Sequence, residues 1–244
     1  MIAIGRARIL RWAVVAAMAL GGSVLTAGAA QAAPAAVLGG GSGIYVEQLD
    51  DPTTIGECTL TAIGFDRDDR LVGLTAGHCG EVGARIAAEY SIDSGTIGVI
   101  AEKSEGNDWA VIAFDPDRVA PTRQVAQTVI NGVGAPPNIG DNVCKNGRTT
   151  GFTCGVVWET KPGYFRSQVC ADQGDSGGPV LLGDQLVGMI VAGSEVRIGP
   201  LSIDPGACAG GGDFIHRPEV STNITLVLGD IDHRGGVGAG FRVF

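Results

Sequence analysis

Gly174-Asp175-Ser176-Gly177-Gly178-Pro179 is the stretch on which the reading of this chain turns. A serine between glycines, with an acid before it, offers a hydroxyl on a loop tight enough for backbone N–H groups to face the reacting atom. That hydroxyl alone is a poor nucleophile: it needs a base to take its proton and a third group to orient the base. Upstream, Thr75-Ala76-Gly77-His78-Cys79 supplies a histidine and Asn107-Asp108-Trp109-Ala110-Val111 a carboxylate. Taken singly these are a loop, a packed histidine and a turn. Taken together, in the order His, Asp, Ser, they form the parts of a nucleophilic triad.

The chain around them reads as exported. Arg6, Arg8 and Arg11 make a basic start, Trp12 to Leu20 is an apolar run, and Ala30-Gln31-Ala32 offers a small-residue cleavage site. That is a secretory signal layout over 1–32, and the apolar run is shorter than the ~18 residues of a spanning helix. Residues 33–43 form a small-residue linker. No long segment separates it from a fold that begins near Ile44. Removing the three arginines takes the formal charge from −9 to about −12. An acidic exported chain has no footprint for nucleic acid or an anionic membrane surface. Six cysteines in such a chain imply three disulfides among 15 possible pairings. Spacing suggests the local solution Cys58–Cys79, Cys144–Cys154 and Cys170–Cys208. No CxxC pair is present, so a structural metal is discounted, and no cofactor is called for.

With 40 glycines among 244 residues and short Val/Ile/Thr-rich runs rather than long helical periods, the composition points to an all-β protein. Cys58 to Phe65 and Leu71 to Thr75 read as a hairpin around the polar turn Asp66 to Arg70. Thr96 to Ile100, Trp109 to Phe114, Thr149 to Val157 and Leu186 to Val191 read as further strands. Pro116 to Pro121 reads as a connector, Glu195 to Gly212 as a long loop, Thr222 to Leu228 as a short terminal helix, and 231–244 as a loose Gly-rich tail.

The three catalytic stretches, in that order, resemble the chymotrypsin-like serine proteases. The Cys144-to-Cys154 segment with Thr149-Thr150-Gly151 inside resembles the bacterial streptogrisin branch of that family. The resemblance covers roughly Ile44 to Leu228. It implies two antiparallel six-stranded β-barrels with the active site in the cleft between them and a short C-terminal helix. The first barrel would occupy 44–120 and carry His78 and Asp108; the second, 121–230, would carry Ser176. The streptogrisin branch commonly has a large folding pro-region, which finds no counterpart between leader and fold. The Glu195–Gly212 stretch is also longer than the family norm.

The family likeness further implies roles. Ser176 attacks a peptide carbonyl, His78 relays the proton, Asp108 orients His78, and the N–H groups of Gly174 and Ser176 form an oxyanion hole. Asp175 would be buried and need a cation, with Lys145 the best match and Arg148 second. The pocket for the substrate side chain would be walled by Ala171, Val191, Ala192, Gly193, Ser194 and His216. The trypsin-type pocket acid would fall at Cys170, so cleavage after Arg or Lys is not indicated. His216 aligns loosely with a histidine of glutamate-specific relatives, against a plain packing role. The expectation is a secreted monomeric endopeptidase acting on protein or peptide substrates, with no membrane span once the leader is removed.

Three rivals are weighed. Gly-x-Ser-x-Gly also marks the α/β-hydrolase nucleophile elbow, but that elbow needs a helix after the serine and a downstream base. Gly177-Gly178-Pro179 is poor helix material, and His233 lies in the glycine-rich end. A catalytically weak relative acting as a binding protein, and a serine esterase, are the other two.

Overall fold

The computed structural model describes residues 35–51, 53–193, 196–198, 201–203, 206, 208 and 216–244. The leader and Ser194 lie outside them. The described chain is mostly β, its strands paired chiefly antiparallel, arranged as two lobes with one α-helix, Ile224–Arg234, near the end.

In the first lobe one sheet runs Arg242–Val243, Ala62–Phe65, Leu71–Ala76, Trp109–Phe114, Thr96–Ser104, Arg85–Ala88, Gly43–Glu47, Ile55–Thr59. It has eight strands where six were expected, because the chain end contributes one and the run read as a single strand over Cys58 to Phe65 is split into Ile55–Thr59 and Ala62–Phe65. Leu71–Ala76 is buried at every position, which explains its unbroken run of apolar and small residues: both faces are covered. The register pairs Ala76 with Trp109. His78 follows the first of these strands in a single 3-10 turn, Gly77–Cys79, and Asp108 precedes the second. Strand pairing therefore brings both to the same end of the sheet. Cys58–Cys79 closes the turn that carries His78.

The second lobe is a closed six-stranded barrel. Its order is Gln185–Gly193, Pro179–Leu182, Asn142–Gly147, Gly151–Thr160, Tyr164–Ser167 and Glu219–Asn223, and the last strand pairs back to the first. Gly132–Val133 adds a short parallel strand at one side. The Cys144–Cys154 disulfide bridges directly opposed residues of a hairpin, and Cys170–Cys208 is the third bridge. All three pairings match the local solution.

Trp109, Val111, Val72 and Leu74 from the first lobe share a core with Leu181, Leu186, Met189, Ile224 and Val227 from the second lobe and the helix. Burying each large apolar side chain stabilises by roughly 1.5–3 kcal/mol, so this shared cluster welds the lobes together.

Several stretches depart from expectation. Ala36–Leu38, in the presumed linker, pairs in parallel with Val119–Pro121 in the presumed connector. Within the Glu195–Gly212 stretch, Val196–Ile198 and Leu201–Ile203 form a small antiparallel hairpin. The helix starts at Ile224 and continues to Arg234, where Gly235 takes a left-handed conformation and ends it. The chain end is no loose tail, since Arg242–Val243 pairs with Phe65 and Gly64. None of the described helices is long and apolar enough to cross a membrane.

Candidate active site

His78 and Asp108 are directly paired. The His78 backbone N–H donates to Asp108 Oδ1 at 2.8 Å, and His78 Nδ1 lies 2.9 Å from Oδ2 and 3.1 Å from Oδ1. Burial works against the Asp108 charge, but the His78 ring, its charge and the backbone N–H groups of His78 and Gly77 outweigh it. The carboxyl is held below the ordinary aspartate value. Asp108 adopts φ +48°, a left-handed conformation that asparagine and aspartate tolerate best. Its neighbours are anchored from the C-terminal helix: Asp230 accepts from Asn107 Nδ2 at 3.0 Å and Trp109 Nε1 at 2.9 Å. The Arg234 guanidinium stacks 4.9 Å from the Trp109 ring centroid and donates to Ser104 Oγ and the Lys103 carbonyl. Arg234, expected in the loose tail, thus joins Asp230 in bracing the loop that holds Asp108.

Ser176 sits on a loop pinned by the first lobe. The carbonyls of Gly174, Ser176 and Gly177 accept from Thr59 Oγ1 (2.8 Å), Thr59 N (2.8 Å) and Thr61 Oγ1 (2.5 Å). Gly177 has φ +83°, and a Cβ there would stand 2.3 Å from both the Thr59 carbonyl and Thr75 Oγ1, so no side chain fits. Thr75 belongs to the strand that leads to His78, which sets Ser176 beside the histidine turn. The Ser176 hydroxyl makes no hydrogen bond to the His78 ring among the described contacts. In substrate-free sites such bonds are often long and tighten on binding.

Two backbone donors in this loop are unpaired among the described residues, the N–H groups of Gly174 and Ser176. Each belongs to a peptide plane whose carbonyl is held: Gln173 O accepts from Thr149 Oγ1 at 2.7 Å, and Asp175 O from Gly178 N at 2.8 Å. A trans peptide points its N–H opposite its C=O, so fixing the two carbonyls aims the two donors. Gly174 takes φ +92°, and a Cβ on it would lie 2.5 Å from Thr149 Oγ1.

Beneath this loop Asp175 and Lys145 form a fully buried ion pair, Nζ to Oδ2 2.9 Å, both side chains 0% exposed. Asp175 also accepts from the backbone N–H groups of Thr149, Thr150 and Asp172 and from the Thr150 hydroxyl. Burial pulls the Lys145 ammonium below its ordinary value, against the attraction of Asp175. Arg148, the second candidate for this partnership, is engaged elsewhere. It bridges to Glu89 and Glu57 of the first lobe, which push its guanidinium's proton affinity up, Glu89 foremost.

A cavity of about 210 Å³ opens beside Ser176. Of the expected pocket residues, Ala171, Ala192 and Gly193 line it. Val191 does not: it packs against the two hydrophobic cores, because neighbouring residues of a strand face opposite ways. His216 does not line it either. It is 3% exposed, its Nδ1 lies 2.9 Å from the Arg217 carbonyl, and its own carbonyl accepts from Gln168. Ile190, Arg217 and Glu219, together with Asp172 and Gln173, complete the lining and were not anticipated. Glu219 faces Gly193 across the barrel seam, a register between strands far apart in sequence that no local pattern announces. On the histidine side, a hollow of about 490 Å³ is lined by Gly77, His78, Glu81, Lys103, Glu105 and Asp108. No group of metal-ligating side chains occurs among the described residues.

No protein-family model matches the chain. It is 29% identical over 163 residues to Streptogrisin-C of Streptomyces griseus, covering 59% of this chain and 32% of that one. It is 28% identical over 158 residues to Serine protease 2 of Streptomyces fradiae, covering 57% and 88%. The aligned part is thus about a third of Streptogrisin-C but most of the Streptomyces fradiae protein. Among solved structures, Cellulomonas bogoriensis chymotrypsin superposes with a TM-score of 0.58 at 27% identity, over 86% of this chain and 99% of that one. Thermobifida fusca Protease A has the same fold, with a TM-score of 0.63 at 22% identity over 86% and 100%. With its two β lobes and closed second barrel, the chain has the fold of the chymotrypsin-like serine proteases and is similar in sequence to streptogrisin-like proteins.

Proposed function

We propose that the protein is a secreted serine endopeptidase. The reading is carried by one observation: the unpaired N–H groups of Gly174 and Ser176 stand on a loop fixed beside a histidine whose Nδ1 is held by a carboxylate. In the reaction, Ser176 Oγ attacks the peptide carbonyl while His78 Nε2 takes its proton. The carbonyl oxygen, now an anion, is received by the N–H groups of Gly174 and Ser176. Asp108 stays ionised, keeps the proton on Nδ1 and stabilises the imidazolium. His78 then protonates the leaving amine, and water, deprotonated by His78, releases the acyl group from Ser176. Each oxyanion donor contributes about 2.7–4 kcal/mol in sites of this kind. No metal or organic cofactor enters these steps. Residues 1–32 act as the leader, and the three disulfides suit an oxidising compartment outside the cytosol. The working form is a monomer acting on peptides or proteins.

Labelling the secreted, folded protein with a fluorophosphonate tests this, with Ser176→Ala as control. Labelling of wild type that disappears in the variant is expected; a well-folded wild type that takes no label sinks the proposal. Turnover of a matched ester and amide separates a peptidase from an esterase. Asp108→Asn is expected to leave the fold intact and lower kcat about 10⁴-fold, because His78 then takes the wrong tautomer. A variant within tenfold of wild type would remove Asp108 from the triad.

A further inference from the structure

We propose that Glu219 is the specificity-determining residue of the cavity beside Ser176, and that it receives a cationic side chain, lysine or arginine, on the acyl side of the scissile bond. This rests on the endopeptidase reading and runs against the expectation from Cys170 that basic residues are not chosen.

The geometry is that of a built site. Glu219 is 5% exposed and lines the same cavity as Ser176. Among the described residues its carboxylate has no hydrogen-bond donor and no ion pair, although nearly all buried polar groups find a partner. Ala171, Ala192, Gly193 and Ile190 give the cavity small or apolar walls, which suit the methylene stem of a long side chain, and Arg217 lines it as well. The carboxylate then meets its charged end.

Charge balance points the same way. The titratable groups acting on Glu219 are Asp175 and Asp172, which carry negative charge, and Lys145 and Arg217, which carry positive charge. Lys145 is already committed to Asp175 at 2.9 Å. With all three carboxyls ionised, the solvent-exposed Asp172 included, the group is one positive charge short. Burial, and after it the Asp175 charge, therefore push the Glu219 carboxyl up to about 8. An incoming ammonium or guanidinium supplies the missing charge and forms a charge-assisted hydrogen bond with a carboxylate that is itself buried.

The sign of the pH effect follows. Below about 8 the empty site holds a neutral acid, and above it a carboxylate, while a substrate lysine with pKa near ~10.4 stays charged up to about pH 10. Preference for lysine over its neutral isostere norleucine should therefore rise with pH. Taking the ratio of the two substrates cancels the shared titration of the catalytic base.

The test is kcat/KM for matched peptides with lysine or norleucine before the scissile bond, in wild type and Glu219→Gln, from pH 6.5 to 9. Wild type is expected to favour lysine by at least about 30-fold at pH 9, the scale of losing one member of a buried charge pair, with that preference abolished in the variant. Between the two pH limits the wild-type ratio is expected to climb about 30-fold, as the carboxylate fraction does for a group titrating at about 8. Equal turnover of the two peptides, a ratio flat with pH, or a preference kept in Glu219→Gln each overturns the assignment, while hydrolysis itself still stands. The wild-type pH profile decides the matter if the variant does not fold. If wild-type Ser176 takes no fluorophosphonate, the endopeptidase reading fails separately. The pocket is then judged by NMR titration of wild type with n-butylammonium against n-butanol: binding of the cation alone supports the site, and binding of neither or of both equally overturns it.

Discussion

His78→Ala is expected to lower kcat for a peptide substrate by about 10⁶-fold, Ser176→Ala by as much, and the double variant by no more than either. The non-additivity is the informative part. Without His78 the Ser176 hydroxyl keeps its proton; without Ser176 the histidine has nothing to activate. Removing the second member of a broken relay therefore takes nothing further. What survives in all three is the rate enhancement of about 10³–10⁴ over water that oxyanion donors and binding supply alone. Single-turnover and steady-state rates on one fluorogenic peptide measure this. Costs that multiply in the double variant would mean that the two residues act independently, and the relay from Ser176 to the His78–Asp108 pair would have to be abandoned.

The second large effect is on stability. Lys145→Met is expected to destabilise the fold by about 3–5 kcal/mol near pH 7, because it leaves the buried Asp175 carboxylate without its cation. At about 2–4 °C per kcal/mol for a domain of this size, the melting temperature should fall by roughly 6–20 °C. The N–H groups of Thr149, Thr150 and Asp172 continue to hold the carboxylate, which favours the lower part of that range. The double variant Lys145→Met/Asp175→Asn should recover much of the loss, since removing both charges also removes the uncompensated one. Thermal melts at fixed pH decide it: an unchanged melting temperature in Lys145→Met would show that the pair is dispensable. Arg148→Met provides the contrast, because Arg148 joins Glu89 and Glu57 across the lobes and leaves Asp175 fully partnered.

The energetic cost of that buried pair is offset by placement. Asp175 lies between Gly174 and Ser176, and its carboxylate is tied to the Thr149–Thr150 turn and to Lys145. Its own carbonyl, held by Gly178, aims the Ser176 N–H. A group buried for stability alone would do as well apolar. Here the charged pair sets the conformation of a loop whose donors face the cleft. The helix Ile224–Arg234 does the corresponding work on the other side, through Asp230 on Asn107 and Trp109.

Much of this was legible in the chain itself. The three catalytic stretches, the all-β class and the disulfide pairing depend on short local patterns or on cysteine spacing, and such patterns survive as sequence. The choice of Lys145 for Asp175 came from the family likeness, and the two form the buried pair. The eighth strand of the first lobe was not legible, because Arg242–Val243 gains its hydrogen bonds only from Phe65 and Gly64, far away along the chain. The parallel pairing of Ala36–Leu38 with Val119–Pro121 was hidden for the same reason. Val191 was placed in the pocket by proximity in sequence, yet a strand sends alternate side chains to opposite faces, and its face is the core. His216 was weighed as a substrate ligand against a packing role, and it is buried with its Nδ1 2.9 Å from the Arg217 carbonyl.

The sequence by itself pointed to the residues proposed to carry the chemistry, since a nucleophile, a base, an orienting acid and the glycines that admit backbone donors are read from identity and local spacing. The tertiary structure alone decided what surrounds them. The barrel seam that sets Glu219 opposite Gly193 brings a carboxylate into the cavity beside Ser176. Burial there, next to Asp175, then gives that carboxylate a charge state and a role that no neighbour in sequence could have assigned.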